Sequence, residues 1–328
     1  MAATAPAHAP SIRALTGQEP IFVVLNAGSG REDARAVQRT IAGVLGRARR
    51  RHEIRMVPHP QELERTARAV VEQARREHGI VVAAGGDGTL NAVVQRVLGT
   101  GLPFGILPQG TFNYFGRAYG IPRDTERAAA ALLDAIVRPV QVGLLNRRAF
   151  LVNASVGLYP ELLEDRELYK QRFGRSKAVA LWSGLVTLLR PPRQLHLELQ
   201  VEGQLRTLRT PTLVVGNNPL QLEQVGIEEA AALEHGRLVA MTVRPVGTLA
   251  LYGLLLRGAF SRLGDARNVI SFDFLQMRVR GRRPGHPRRF KVAMDGEILW
   301  LPAPLEFKVA PQRLPLLMPR HVDPADRA

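Results

Sequence analysis

Ile80-Val81-Val82-Ala83-Ala84-Gly85-Gly86-Asp87-Gly88-Thr89-Leu90-Asn91 is an apolar run that feeds a glycine turn and then a helical pattern continuing to about Leu98. The run has the length and composition of a buried strand. With no side chains at Gly85, Gly86 and Gly88, an anion can come close to the backbone, where unpaired N–H groups and the helix dipole favour negative charge. Asp87 would repel such an anion unless a cation stood between them. Mg2+ typically takes one or two carboxylates together with substrate phosphates. The stretch is therefore expected to be a metal-nucleotide site, with Asp87 as a ligand directly or through water. An ordinary β-to-α turn, with Asp87 near the helix cap, satisfies the same residues, so the rest of the chain has to decide.

Strands and helices alternate on both sides of this turn. Ile21 to Leu25 reads as a buried strand that runs into Asn26-Ala27-Gly28-Ser29-Gly30, and Glu32 to Arg50 as a helix. Glu53 to Val57 is a strand, Gln61 to Glu77 a helix and Thr89 to Leu98 a helix; Phe104 to Leu107 then leads into the loop Pro108-Gln109-Gly110-Thr111-Phe112-Asn113. This alternation predicts a parallel sheet, whose ligands lie beyond the carboxyl ends of its strands. All three turns leave those ends, so they can surround one nucleotide. Neither GxxxxGK[ST] nor GxGxxG follows the first strand, which disfavours a P-loop enzyme and a Rossmann dehydrogenase.

At 328 residues the chain exceeds one compact core, and roughly two domains are expected. No uninterrupted apolar run is long enough to span a bilayer. Residues 1–19 have no secretory pattern and are expected to be a disordered tail. The absence of cysteine excludes disulfides and thiolate chemistry and fits a cytoplasmic protein. The net charge of +16 is carried mostly by arginine and calls for anionic partners. No basic stretch interleaved with aromatics suggests a nucleic-acid platform, so no nucleic acid is expected.

The second half changes character near Arg138-Pro139. Short alternating runs at Val140 to Leu145, Ala149 to Ala154, Leu195 to Val201, Leu205 to Val215, Leu238 to Val243, Val269 to Val279 and Phe290 to Ala293 predict a β-sandwich. Ser176 to Leu189 and Thr248 to Leu263 read as apolar helices with basic or aromatic edges, including Trp182 and Tyr252. Such helices suit a bilayer surface, an acyl pocket or simple packing on the sandwich. The expected layout is an α/β nucleotide-binding domain at 20–138, a mainly β-sandwich domain at 139–312 and a tail at 313–328.

In the order and spacing of its motifs the chain resembles the diacylglycerol kinase-like lipid kinases, a family that includes bacterial lipid kinases and the sphingosine and ceramide kinases. Asn26 to Gly30 matches NPxSG, Gly85 to Asn91 matches GGDGTxN, Leu107 to Asn113 matches LPxGTxN, and Asp295-Gly296-Glu297 matches a C-terminal DGE. The resemblance implies ATP and Mg2+ as cofactors. It also implies that Asn26, Gly28, Ser29, Gly30, Gly85, Gly86, Asp87, Gly88, Thr89, Asn91, Gly110, Thr111 and Asn113 line the nucleotide, with Arg31 and Arg117 neutralising phosphate. Asp295 is implied as general base, with Glu297 nearby and Asp87 at the metal. An Asp-Gly hairpin joining Phe290 to Ala293 with Ile298 to Leu301 is expected from the same residues. Tyr114, Gln141 and His235 depart from acidic positions of the family, and no second, structural Mg2+ site is expected. The expectation is a lipid kinase acting on the hydroxyl of a diacylglycerol-like or long-chain-base lipid at a membrane surface, in contact with anionic phospholipid headgroups. It would be cytoplasmic and peripherally membrane-associated, with a homodimer left open. An NAD kinase and a non-catalytic nucleotide-binding lipid sensor are the alternatives.

Overall fold

The computed structural model describes residues 15–28, 33–161, 163, 194–245, 268–281 and 289–327. Ser29, Gly30 and Arg31, and the expected helices around Trp182 and Tyr252, lie outside the described residues. The chain forms two units, one made of residues 1–140 and 311–328 and the other of residues 141–310.

The first unit is built on strands that are apolar on both faces. β1 (Ile21–Asn26), β3 (Ile80–Gly85) and β4 (Phe104–Pro108) are buried almost throughout, as expected of parallel strands covered by helices on each side. With β2 (His52–Val57), β5 (Ile136–Val140) and the chain's last strand, β18 (Leu314–Met318), they form a six-stranded sheet in the order β2-β1-β3-β4-β18-β5. Register aligns Leu25 with Ala84 and Gly85 with Pro108, so the ends of β1, β3 and β4 lie level. Helix α1 (Ala34–Arg47) is capped by the Asp33 carboxylate, which accepts from Arg35 N. It turns Val37, Ile41, Val44 and Leu45 inward. Helix α2 (Leu63–Arg76) does the same with Leu63, Ala67, Val70, Val71 and Ala74. α3 (Asp87–Val97), the short α4 (Tyr114–Ala118) and α5 (Thr125–Leu133) complete the unit's main helices.

The expected tail at 313–328 needs correction, and so does the end of the N-terminal one, at residues 15–19. Residues 313–328 are not a tail: Leu314, Leu316 and Leu317 are buried, and β18 runs parallel to β4 and antiparallel to β5. The apolar stretch fills the gap that would otherwise separate those strands. Within residues 1–19, the described part is tied down by Glu19. Its nearly buried carboxylate accepts from Thr16 N, Thr16 Oγ1 and Gly17 N.

The second unit consists of two antiparallel six-stranded sheets. One contains β6 (Gly143–Leu145), β7 (Arg148–Phe150), β9 (Leu195–Val201), β10 (Gln204–Thr210), β14 (Gln276–Gly281) and β17 (Leu305–Val309). The other contains β8 (Asn153–Gly157), β11 (Thr212–Gly216), β12 (Leu238–Val243), β13 (Val269–Phe274), β15 (Arg289–Met294) and β16 (Glu297–Pro302). Phe150, Leu197, Leu199, Met277 and Phe307 from the first sheet pack with Val156, Leu213, Phe274, Phe290 and Val292 from the second in one core. Three segments expected as single strands each divide between the sheets: the chain crosses at Pro211, at Leu275 and at Leu151-Val152. Proline has no N–H to give a ladder, which suits it to such a corner. The helix α6 (Pro219–Gln224) starts at Asn218, whose side chain accepts from Gln221 N.

Candidate functional site

In the first unit, two glycine turns meet at the level ends of β3 and β4. Gln109 N donates to the Gly85 carbonyl at 3.0 Å, which joins the two loops. A Cβ built on Gly110 would stand 2.8 Å from the Gly86 Cα, a contact that no side chain can make. The loop after β4 is closed by Asn113, whose Oδ1 accepts from Gly110 N at 2.9 Å while its Nδ2 donates to the Gly110 carbonyl at 2.7 Å. Asn113 itself holds φ 50°, which asparagine tolerates better than most residues. On the β1 side, Asn26 Nδ2 donates to Thr89 Oγ1 at 2.8 Å, and Asn26 Oδ1 accepts from Gly28 N at 3.0 Å. Asn91 is buried and accepts from Gln95 Nε2 at 2.8 Å. The first unit thus brings together Asn26, Gly28, Gly85, Gly86, Asp87, Gly88, Thr89, Gly110 and Asn113, with Asn91 one turn into α3 and Thr111 exposed on the loop.

Asp87 opens α3 at the centre of this group. Its carboxylate accepts long bonds from Tyr114 N at 3.3 Å and Phe115 N at 3.4 Å. Burial pushes its carboxyl above the ordinary range, against the opposing effect of those two N–H groups. A desolvated carboxylate beside a glycine cradle is well placed to hold a cation. Among the described residues no three His, Cys, Asp or Glu cluster around a common point, so any cation there would draw its remaining ligands from a substrate or water. That is the usual arrangement for Mg2+, and the residues present fit Mg2+ bound together with phosphate. Tyr114 meets Asp87 through its backbone, while its ring stacks on Phe112 at 5.7 Å.

Arg117, expected from the resemblance to neutralise phosphate, is held inside the first unit. It is only 8% exposed, and its guanidinium lies over the Tyr114 ring at 5.9 Å. It braces the short α4 by a cation–π contact instead of facing solvent. Two residues unforeseen in the sequence line the same loop: Gln109, whose Nε2 donates to Thr125 Oγ1 at 2.9 Å, and Thr125 itself.

In the second unit, Asp295 and Gly296 have φ 47° and 88° and form the two-residue turn between β15 and β16, as the Asp-Gly pair predicts. The Asp295 side chain is also buried and anchored. Oδ2 accepts from Leu151 N at 2.7 Å, and Oδ1 accepts from Val152 N at 2.9 Å and Asn153 N at 3.1 Å. These are the N–H groups at the crossing from β7 to β8, where the chain leaves one sheet for the other. A carboxylate is a strong acceptor for such a cluster. Around it stands a shell of carboxamides. Asn217 Nδ2 donates to the Leu151 and Gln141 carbonyls, and Asn217 Oδ1 accepts from Gln141 Nε2 at 2.9 Å. Asn153 Nδ2 donates to Gln221 Oε1 at 2.8 Å. Gln141 also donates to the Arg237 carbonyl at 3.0 Å. Asn153, Asn217 and Gln221 were not anticipated; the signal available was Asn217-Asn218-Pro219, a polar helix start directly after an apolar strand. Glu297 is exposed at the start of β16, and His235 is exposed with its Nδ1 3.2 Å from the Ala231 carbonyl.

The chain thus carries an α/β unit with glycine turns at its level strand ends, followed in sequence by an antiparallel two-sheet unit. The family model for the diacylglycerol kinase catalytic domain matches residues 20–145. A diacylglycerol kinase of Bacillus subtilis is 35% identical over 141 residues, 42% of this chain and 46% of that protein. An uncharacterized protein of Synechocystis sp. is 27% identical over 278 residues, 81% of this chain and 61% of its own length. A crystal structure of a diacylglycerol kinase from Bacillus anthracis superposes with a TM-score of 0.69 at 18% identity, covering 94% of this chain and 98% of that one, and so shares the fold. The chain is thus similar to diacylglycerol kinases and related lipid kinases, over residues 20–145 for the catalytic-domain model. It covers less than two thirds of the length of these curated relatives.

Proposed function

We propose that the protein is an ATP- and Mg2+-dependent lipid kinase that transfers the γ-phosphate to the hydroxyl of a diacylglycerol-like or long-chain-base lipid. The observation that carries this reading is the touching pair of glycine turns at Gly86 and Gly110 with the desolvated Asp87 carboxylate beside them. Phosphoryl transfer depends mainly on positioning and on neutralising charge. Bound Mg-ATP would supply the phosphoryl group and the cation that screens it. Backbone N–H groups of the two turns would orient the phosphates, Asn26 and Thr89 would form the neighbouring wall, and Asp87 would hold the cation. Asp295 is proposed as acceptor of the hydroxyl proton on the strength of the family motif. Its three backbone donors hold that carboxylate in a fixed orientation.

A net charge of +16 suits an anionic membrane surface. No helix among the described residues is long and apolar enough to cross a membrane. Peripheral contact with anionic headgroups, in the cytoplasm, is part of the proposal. The test is transfer of labelled γ-phosphate from Mg-ATP to diacylglycerol, sphingosine, ceramide, phosphatidylglycerol and NAD, beside Asp87→Ala and Asp295→Asn. Label in a lipid with the wild type alone would support the reading. Label in NAD, or nucleotide binding without transfer to any acceptor, would overturn it.

A further inference from the structure

A cavity of about 270 Å3 opens beside the loop after β4, lined by Pro108, Gln109, Gly110, Asn113, Arg123 and Thr125 among others. The described residues that line it are mostly polar in type and include no aromatic ring, which does not suit a stacked base or an acyl chain. Gln109 and Thr125 are held to each other at 2.9 Å, so that wall is fixed. Arg123 supplies the only cation among the described residues that line it. Its backbone is constrained on both sides: Pro122 precedes it, and Asp124 follows as the cap of α5, accepting from Arg127 N at 2.8 Å.

Arg123 is exposed and makes no hydrogen bond or ion pair with the described residues. Arg127, one helical turn later, pairs with Asp323 and Asp326. Arg117, which the sequence offered as the neighbouring phosphate partner, is buried over Tyr114. A planar guanidinium with its donors uncommitted, at a rigid polar cavity beside a glycine loop, is matched to a group with two or more anionic oxygens. We infer that Arg123 is a phosphate-recognising residue and that this cavity takes a phosphoryl group, either of the donor nucleotide or of a phosphorylated lipid. The inference rests on the kinase reading above and adds a residue to it.

The experiment uses the full chain as wild type, Arg123→Ala and Arg123→Lys. Calorimetric titration with Mg-ATP and with adenosine forms one arm. Sedimentation with vesicles containing phosphatidic acid, against phosphatidylglycerol vesicles of equal charge, forms the other. Because Arg123 is exposed, both variants should melt with the wild type. A lost charge-assisted bond corresponds to about a tenfold or greater weakening. Arg123→Ala should show that loss for Mg-ATP with adenosine unaffected if the donor is the source, or for phosphatidic acid selectively if the lipid is. Arg123→Lys should fall between, keeping the charge and losing the fork. Wild-type affinity of Arg123→Ala in both arms would overturn the inference and leave the kinase reading standing. A wild type that binds neither Mg-ATP nor phosphatidic acid would overturn both.

Discussion

Replacing Asp295 by alanine removes the acceptor of three backbone N–H groups, at 2.7, 2.9 and 3.1 Å, in a place only 7% exposed. Hydrogen bonds to a charged partner contribute roughly 1.5–3 kcal/mol each, and a donor left buried and unpaired costs about 1–3 kcal/mol. The three bonds share one side chain, so their losses do not add in full. Taking about 1–2 kcal/mol for each gives a loss of roughly 3–6 kcal/mol. With a urea slope of about 2 kcal/mol/M, the unfolding midpoint of the second unit should drop by roughly 1.5–3 M. Asp295→Asn should be milder. Asparagine accepts positive φ, Asn-Gly suits the same hairpin turn, and its one carbonyl oxygen can keep the Val152 and Asn153 donors, which already share Oδ1. Its NH2 would face Leu151 N, so a loss of about 1–3 kcal/mol is expected. Glu297→Gln, on the exposed side of the same turn, should stay within about 0.5 kcal/mol. Urea titration followed by fluorescence and circular dichroism measures all three. An Asp295→Ala protein weakened by less than about 1 kcal/mol would refute the anchoring role.

The first unit yields three further expectations. Asp87→Asn should abolish transfer yet melt at a higher temperature near neutral pH. Burial raises the Asp87 carboxyl, so the unfolded chain ionises first, and wild-type stability falls as pH climbs from the ordinary carboxylate range through the raised value. Melting curves across that window should therefore diverge, with the variant gaining on the wild type as pH increases; parallel curves would contradict the desolvation. Gly110→Ala pushes a Cβ to 2.8 Å from the Gly86 Cα and should lose nucleotide binding together with about 1–3 kcal/mol of stability, read by titration calorimetry and melting. Leu316→Ala, at a fully buried position of β18, should cost about 2–5 kcal/mol in denaturant titration; a surface-like effect would mean that the strand is dispensable.

The parts of the fold that could be read in advance are those where one physical signal has one solution. β1, β3 and β4 are continuous apolar runs ending in glycine or asparagine turns, and only a buried parallel strand explains them. The Asp295-Gly296 turn was legible for a similar reason, since few pairs accept two positive φ values. Leu314–Met318 was missed because Pro315 argues against a sheet interior and the strand's partners lie far off in sequence, in β4 and in β5. The sheet crossings at Pro211 and Leu275 were hidden because alternation continues through a corner while the sheet changes. The burial of Arg117 over the Tyr114 ring was not legible, because nothing in the local pattern announces that ring beside it. The carboxamides around Asp295 escaped for a different reason. Asn and Gln serve turns, caps and networks equally, and only the fold shows that Asn217 holds the same Leu151 turn whose N–H groups hold Asp295.

The order of the two units along the chain constrains how the first unit's sheet can be completed. Residues 141–310 are contiguous and contain both sheets of the second unit. The first unit closes only when β18, from the far end of the chain, enters between β4 and β5; Leu314 then pairs with Val140 and Leu316 stands opposite Phe104. That pairing closes a loop as long as the whole second unit. Closure entropy grows only slowly with length, so the strand is affordable thermodynamically, but non-local pairings form late. Prior folding of residues 141–310 would shorten the effective loop, because Val140 and Pro311 flank one compact body. Completion of the sheet that carries the Gly86 and Gly110 turns is thus coupled to the folding of the unit that carries Asp295. A change that weakens the Asp295 anchor should slow assembly of the first unit's sheet even though no residue of that sheet has been altered.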